Sequence, residues 1–314
     1  MKEQRTTAKR RTAEMKKLII GTDWWTDCDD AVAMRIFARA HLSKKIELLG
    51  IIINACAEYS VASLDAFLEL EGMAEMPIGI DLCATDFGGN PPYQKRLAEY
   101  ATRKLCNADG EDPVRLYRRL LAESNGMVEI AEIGFPQVLS HLIQSKGDDI
   151  SPLDGRELMA EKVHCVWMMA GKWECGLENN FCRNPRSRIG GAYFTENCPV
   201  PVVFLGFEVG ETVISGGHLK ENDHLHTVLA DFGSPGGRSS WDPMLAMLAS
   251  GYSDPETDYK TVIGHASVNA ETGENSFFRC PEGLHRYVIK THLDEWHAMQ
   301  IDKLIESKAP SYRS

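Results

Sequence analysis

One acidic segment near the N-terminus constrains the fold most strongly, because a buried strand runs there directly into a helix. Residues 17–22 form an apolar run without helical period, which is typical of a parallel strand buried on both faces. From Asp29 onward, apolar residues recur at helical spacing. Four carboxylates lie within the eight residues around this turn: Asp23, Asp27, Asp29 and Asp30. Since open α/β sheets bind ligands at such strand ends, the segment predicts an α/β sheet with a ligand site.

Four carboxylates this close together repel each other, and the repulsion raises their pKa values unless a cation compensates for it. Hard divalent cations prefer several carboxylate and carbonyl oxygens, and Ca²⁺ accepts more of them than Mg²⁺ does. Helix capping is the alternative, since Asp27 or Asp29 is placed to accept a hydrogen bond at the start of the helix. A single N-cap uses a single side chain, so capping alone does not account for the full set. The segment therefore predicts a cation site.

The composition argues against several other classes of protein. The chain has 314 residues, of which 43% are hydrophobic and 25% charged, as in ordinary soluble globular proteins. A formal net charge of −11 argues against nucleic-acid binding. No run approaches the roughly 18 apolar residues of a membrane span. The nine cysteines are scattered without a Cys-x-x-Cys pair, which argues against disulfides or zinc and favours a reducing, cytoplasmic location.

The periodicity of the remaining chain predicts a largely parallel, open central sheet flanked by helices. The predicted strands are 46–53, 76–80, 128–134, 163–169 and 201–206, and the predicted helices are 60–72, 94–105, 113–123, 136–144 and 292–306. Alternating polarity beyond residue 260 predicts C-terminal antiparallel strands arranged as a meander. We therefore expect one α/β domain over 17–308, a basic and disordered tail at 1–16, and a short tail at 309–314.

Three later polar clusters also follow predicted strands or turns: Asn54, Glu178-Asn179-Asn180 and Trp241-Asp242-Pro243. Together with the acidic segment they resemble the motifs of the inosine-uridine-preferring nucleoside hydrolase family. Many members of that family open with a strand and Asp-Thr-Asp-Ile-Gly-x-Asp-x-Asp-Asp-Ala. Residues 21–31, Gly-Thr-Asp-Trp-Trp-Thr-Asp-Cys-Asp-Asp-Ala, are similar to this form. Gly21 replaces the first Asp of the motif, and two tryptophans replace Ile-Gly.

The resemblance continues in the same order over roughly residues 17–250. Residues 133–138 stand where the family has Thr-Gly-Pro-Leu-Thr-Asn, and residues 168–171 stand for its Met-Gly-Gly. Residues 178–185 are similar to Glu-Phe-Asn-x-x-x-Asp-Pro, and residues 241–243 stand where many members have His-Asp-Pro. The resemblance implies the nucleoside hydrolase fold.

The resemblance also implies a Ca²⁺ site and a role for each matching residue. The implied metal ligands are the carboxylates of Asp23, Asp30 and Asp242 and the backbone carbonyl of Ile133. The implied ligands of the ribose hydroxyls are Asp29, Asn54, Glu178 and Asn180. Asp23 would also be the general base for the attacking water, and Asp27 would have a capping or supporting role. A carboxylate-rich site suits this reaction, because hydrolysis of an N-glycosidic bond passes through an oxocarbenium-like sugar.

Trp241 is the main departure from the family pattern, because many relatives have a general-acid His there. In the purine-preferring branch, a Trp stacks on the base and raises its basicity, so that water or solvent can protonate the leaving group. The resemblance to that branch implies a catalytic role for Trp241 and a modest preference for purine nucleosides. Phe87, Tyr93 and Trp173 are candidates for the other side of the base. The alternative for Trp241 is a packing role, and packing around the turn is the expected role of Trp24 and Trp25.

The function implied is hydrolysis of ribonucleosides to ribose and free base by a homodimer or homotetramer. A phosphotransferase of the haloacid dehalogenase type also opens with paired aspartates, but it leaves the clusters at Glu178 and Asp242 unexplained. A riboside-binding protein with little or no hydrolase activity is a second alternative, because the turn is altered and the His is missing. Hydrolysis of an unusual N-riboside is a third. Turnover on a panel of ribosides separates these possibilities.

Overall fold

A computed structural model describes residues 15–174 and 176–307 of the chain. All but the last two residues of the predicted tail at 1–16 lie outside this range, as do residue 308 and the predicted tail at 309–314. The first strand already begins at Lys16, one residue before the predicted start of the domain.

Strands and helices alternate along most of the described chain. The strands are β1 (Lys16–Thr22), β2 (Ile46–Ile53), β3 (Ile78–Ile80), β4 (Val128–Glu132), β5 (Val163–Met169), β6 (Val202–Leu205), β7 (Ile214–Ser215), β8 (Arg238–Ser239), β9 (Tyr259–Val268), β10 (Asn275–Arg279) and β11 (His285–Lys290). The α-helices are α1 (Asp29–Leu42), α2 (Ser60–Leu70), α3 (Gln94–Glu99), α4 (Pro113–Glu123), α5 (Gln137–Gln144), α6 (Gly155–Lys162), α7 (Asn179–Cys182), α8 (Pro185–Asn197), α9 (Phe207–Gly210), α10 (His224–Phe232), α11 (Trp241–Ala249) and α12 (Asp294–Ile305).

Nine strands form the central sheet in the order β10-β9-β11-β6-β5-β4-β1-β2-β3. The seven strands from β11 to β3 in this order pair in parallel, whereas β9 pairs antiparallel with both β10 and β11. Strands β7 and β8 form a separate antiparallel pair. The predicted fold class, a largely parallel sheet with C-terminal antiparallel strands in one domain, is confirmed.

The predicted C-terminal meander is wrong in its strand order. In a meander β10 would lie between its neighbours in sequence, but β9 lies between β10 and β11, and β11 continues the sheet next to β6. Burial explains this order. Tyr287 and Val288 in β11 are buried, whereas β10 is largely exposed at the sheet edge. Alternating polarity predicts a strand but does not say which neighbour covers its apolar face.

The helices that the sequence prediction missed include α6 and α8. Helix α8 contains Gly190 and Gly191, which lower helix propensity. These glycines allow close helix packing, since a Cβ at Gly190 would lie 2.6 Å from the Cα of Gln137 in α5. The prediction was also too long at 94–105, where α3 ends at Glu99 and only a 3₁₀ turn (Asn107–Asp109) follows.

Strand β1 lies beside the point where the order of the strands reverses. The chain proceeds outward from β1 through β2 and β3 on one side, and from β4 through β5 and β6 on the other. Beyond the carboxyl ends of β1 and β4, this reversal leaves a crevice in which open α/β sheets bind their ligands. The acidic segment follows β1, so the topology places it in this crevice.

Within the described range, no helix has the length and apolar character needed to cross a membrane. The eight cysteines of this range are free thiols.

Candidate active site

A cavity of about 310 Å³ opens at the reversal point, beyond the carboxyl ends of the central strands. Its walls come from the acidic turn after β1, from the segments that follow β4, β5 and β6, and from the first turn of α11. Eight of the residues predicted for the site line it: Asp23, Asp29, Asp30, Ile133, Glu178, Asn180, Trp241 and Asp242. Segments more than 200 residues apart in sequence therefore meet at one cavity.

The acidic turn is held in place by the side chain of Trp24. This residue has a φ of 41°, in the left-handed region that L-residues seldom adopt. Its indole is fully buried, packs against Phe67 and Tyr93, and donates a hydrogen bond of 2.9 Å from Nε1 to Ser63 Oγ. The predicted packing role of Trp24 is confirmed. Trp25 packs against Phe87 and also lines the cavity.

Three buried carboxylates form a compact group in the cavity. Asp29, Asp30 and Asp242 each place one carboxylate oxygen within 4.8 Å of the others. Burial raises the pKa of Asp30 to about 7, although hydrogen bonds from the Thr22 hydroxyl and the Trp24 N–H oppose the shift. Burial, followed by repulsion from Asp29 and Asp30, raises the pKa of Asp242 well above its ordinary value. An all-oxygen group of this kind fits a hard divalent cation, which would relieve the repulsion.

Asp23 lies in the same cavity and is 9% exposed. Burial raises its pKa well above the ordinary value, and repulsion from Asp30 and then Asp29 adds to the shift. The compact group contains Asp29, which the resemblance assigns to ribose, rather than Asp23. Asp29 also accepts a hydrogen bond of 3.1 Å from the backbone N–H of Asp242. The structure therefore gathers Asp23, Asp29, Asp30 and Asp242 in one cavity. The division of these residues between metal ligands and ribose ligands stays a prediction.

Ile133 follows β4 and lines the cavity. Its N–H donates a hydrogen bond of 2.8 Å to the carbonyl of Gly21 at the end of β1. The next residue must be small, because a Cβ at Gly134 would lie 2.3 Å from the backbone nitrogen of Asp23. The close approach of these two strand ends brings the Ile133 peptide beside the aspartates.

Glu178 and Asn180 also line the cavity. Glu178 is the N-cap of α7, and its carboxylate accepts hydrogen bonds from the N–H groups of Asn180 (2.7 Å) and Gly171 (2.9 Å). Burial raises its pKa to about 7 despite these bonds. The Asn180 side-chain amide donates a hydrogen bond of 2.8 Å to the carbonyl of Met169. Both side chains are thus fixed in orientation before any ligand arrives.

The structure does not bring Asn54 to the cavity. Its side chain is fully buried. Its Nδ2 donates a hydrogen bond of 2.7 Å to Glu132 Oε1, and its Oδ1 accepts one of 2.9 Å from the N–H of Phe135. The predicted contact between Asn54 and ribose is therefore not supported, because its polar atoms are already used inside the protein.

Three of the four aromatic residues predicted to contact the base also lie away from the cavity. Phe87 stacks on Phe135 with ring centroids 3.9 Å apart. The Tyr93 hydroxyl donates a hydrogen bond of 2.8 Å to the carbonyl of Asp27, and its ring is fully buried. Trp173 packs in the core. The predicted contacts of Phe87, Tyr93 and Trp173 with a base are corrected to packing, since burial in apolar clusters accounts for each.

Trp241 lines the cavity beside an aromatic residue that sequence reasoning missed. Its ring stacks on the Phe207 ring with centroids 5.3 Å apart, and its Nε1 donates a hydrogen bond of 2.8 Å to the Phe207 carbonyl. Phe207 comes just after predicted strand 201–206, so its position at a strand end was an available signal. Arg183 was missed as well. It lines the cavity with its guanidinium 4.7 Å from the Trp25 ring centroid.

Asp27 forms an ion pair with Arg238 and is not part of the compact group of three aspartates. The Arg238 guanidinium donates to both Asp27 oxygens, at 2.7 and 3.0 Å, and the N–H of Cys28 donates to one of them at 2.7 Å. The same guanidinium lies 5.1 Å from the centroid of Trp241. This arrangement supports the predicted supporting role of Asp27.

No protein-family model and no curated protein matches the sequence. Solved structures do match over almost the whole chain. An inosine-uridine-preferring nucleoside hydrolase from Bacillus anthracis is 14% identical, with a TM-score of 0.62 over 93% of this chain and 99% of that one. The protein has the nucleoside hydrolase fold. A purine-preferring ribonucleoside hydrolase from Gardnerella vaginalis shares this fold at 15% identity and a TM-score of 0.68, with the same coverage.

The nucleoside hydrolase fold also occurs in a further similar structure. The type III effector protein XopQ, complexed with adenosine diphosphate ribose, is 11% identical to this chain, with a TM-score of 0.65 over 93% of this chain and 94% of that one. The fold implied by the motif resemblance is therefore confirmed.

Proposed function

We propose that the protein hydrolyses the N-glycosidic bond of ribonucleosides, releasing ribose and the free base, with Ca²⁺ as its cofactor. The observation that carries the proposal is the meeting of the buried aspartates with Glu178 and Asn180 in one cavity at the reversal point of the sheet. Two structures with this fold are described as nucleoside hydrolases, which supports the same reaction class.

Each group has a task in this proposal. Asp23, Asp30, Asp242 and the Ile133 carbonyl hold the cation, while Asp29, Glu178 and Asn180 bind the ribose hydroxyls. When bound, Ca²⁺ lowers the pKa of water and helps to orient the sugar. Asp23 accepts the proton of the attacking water. The remaining carboxylates stabilise the positive charge that develops on the sugar ring.

Trp241 is proposed as the platform for the base, with a preference for purines. Its ring is half-buried in the cavity, and the contacts with Phe207 fix its plane. Stacking of a base on an aromatic ring contributes about 1–3 kcal/mol. A larger purine ring gains more of this contact than a pyrimidine does.

Trp241→Ala is expected to lower kcat/KM for purine nucleosides roughly 5- to 150-fold, because the stacking energy is lost. The loss for pyrimidine nucleosides should be smaller. Trp296→Ala is the matched control, since Trp296 lies in α12, stacks on His292 and does not line the cavity. Equal losses for purines and pyrimidines would contradict the role of Trp241 in base preference.

The reaction itself is tested by a reducing-sugar assay with purine, pyrimidine and nicotinamide ribosides, with and without chelator. Release of ribose that stops on chelation and returns with Ca²⁺ would support the proposal. Release from the nicotinamide riboside alone would favour the unusual N-riboside. The homodimer or homotetramer and the cytoplasmic location stay predictions, and sedimentation equilibrium tests the first of them.

A riboside-binding protein without hydrolase activity is the second candidate. One structure with the same fold is an effector protein complexed with adenosine diphosphate ribose. The Trp in place of the family His and the altered turn also favour this alternative. Tight binding of a riboside by calorimetry, without release of ribose from any member of the panel, would support it over hydrolysis.

A further inference from the structure

Gly21 and Glu132 face each other across the central strands β1 and β4, where they are paired in register. A Cβ built on Gly21 would lie 2.1, 2.5 and 2.6 Å from Oε2, Cδ and Oε1 of Glu132. The Glu132 side chain is fully buried. Its carboxyl group therefore fills the space that a side chain at position 21 would take, and position 21 is where the resembled motif has its first Asp.

Hydrogen bonds fix the Glu132 carboxyl group next to the chain segment that follows β4. Its Oε1 accepts hydrogen bonds from Asn54 Nδ2 at 2.7 Å and from the Gly134 N–H at 3.0 Å. The Asn54 side-chain oxygen in turn accepts a hydrogen bond of 2.9 Å from the N–H of Phe135. One carboxyl oxygen thus holds, directly or through Asn54, two successive N–H groups after β4.

The bond to Gly134 has a consequence for Ile133, because the two residues share one peptide unit. In a trans peptide the N–H and C=O groups point in opposite directions, and the described residues contain no cis bond. Fixing the Gly134 N–H toward Glu132 therefore directs the Ile133 carbonyl away from Glu132. The Ile133 N–H is held separately by the Gly21 carbonyl at 2.8 Å. Both ends of the Ile133 residue are anchored, and Ile133 lines the cavity.

We propose that Glu132 is a positioning residue that supplies, from β4, the carboxyl group missing at Gly21 and orients the Ile133 carbonyl toward the cation site. This inference rests on the proposed Ca²⁺ site. It also gives Asn54 a role, which is to extend the hydrogen bonds of Glu132 to Phe135 rather than to contact ribose. Partners that orient a metal ligand in this way typically change metal affinity about 10–100-fold when they are removed.

The test is Ca²⁺ affinity, measured by titration calorimetry on the full-length chain, with circular dichroism to confirm folding. Glu132→Ala removes the acceptor and is expected to weaken Ca²⁺ binding about 10–100-fold. Glu132→Gln keeps an oxygen that accepts from Gly134 and Asn54, so its affinity should stay within a few-fold of wild type. Glu129→Gln in the same strand is the matched control, because Glu129 contacts Lys16 and Trp167 instead of the cavity.

A double variant tests the relocation of the carboxyl group. Gly21→Asp alone should be destabilised, because two carboxyl groups would compete for one space. Gly21→Asp combined with Glu132→Ala should recover most of the affinity lost in Glu132→Ala, since an Asp at 21 restores an acceptor there. Wild-type affinity in Glu132→Ala, equal losses in the Ala and Gln variants, or no recovery in the double variant would overturn the inference. Absence of Ca²⁺ binding by the wild type would overturn the proposed cofactor together with it.

Discussion

Asp23→Asn is expected to lower the rate of ribose release by about 10²–10⁴-fold at saturating Ca²⁺, the usual contribution of a general base. Asn keeps the shape of the side chain and one oxygen that can bind a cation, but it cannot accept the proton of the attacking water. Asp23 suits this task because its side chain lines the cavity together with the other carboxylates proposed to hold the cation. The effect should appear in kcat more than in KM.

Stability provides an independent check on this variant. Removing one of several buried, mutually repelling carboxylates should leave the free energy of unfolding of the metal-free protein unchanged or higher, so inactivity would not reflect misfolding. Asp112→Asn is the matched control. Asp112 caps α4 by accepting a hydrogen bond of 2.9 Å from the Arg115 N–H, and an Asn at this position caps a helix equally well. Activity of Asp23→Asn close to wild type would assign the base to another carboxylate of the cavity, such as Asp29.

The second large effect is the dependence of Ca²⁺ stabilisation on pH. At pH 8, Ca²⁺ at about a thousand times its Kd should add about 4 kcal/mol to the free energy of unfolding. At pH 5 the gain should nearly vanish. The carboxylates must lose their protons to bind the cation. Burial raises the pKa of Asp30 to about 7 and that of Asp242 well above its ordinary value.

The sign follows from the protons bound in each state. Unfolded Asp and Glu side chains titrate near pH 4. Between about pH 4 and pH 8 the folded, metal-free protein therefore holds more protons at this site than the unfolded chain does. The site's contribution to the free energy of unfolding falls as pH rises through the folded pKa values. Ca²⁺ replaces those protons, so its stabilising effect grows over the same range.

Urea denaturation at pH 5, 6, 7 and 8, with chelator or with Ca²⁺, measures this difference. Comparing the two conditions at each pH cancels the contributions of ion pairs elsewhere, such as Arg118 with Asp148. Asp242→Asn should abolish most of the gain at pH 8. An equal gain at pH 5 and pH 8 would show that the cation does not bind at these carboxylates.

Much of the site was predictable because its residues lie in short segments with strong local signals. Asp29 and Asp30 begin a helix directly after an apolar strand, and Glu178 and Asp242 follow later strands or turns, so their meeting at one sheet edge follows from parallel topology. The base-binding residues were not predictable in this way. An aromatic residue in a loop, such as Phe87 or Trp173, packs in the core as readily as it lines a cavity.

The sequence by itself determined the alternation of strands and helices over much of the chain, the acidic turn and its position at the end of a parallel strand. These features depend on local periodicity and on the chemistry of like charges. Only the tertiary structure decided which side chains reach the cavity. Asn54 follows a strand as predicted, yet its amide is used by Glu132 and Phe135. The contact between Gly21 and Glu132 joins residues 111 positions apart in neighbouring strands. Strand pairing and side-chain packing fix such contacts, and neither is encoded in any local pattern.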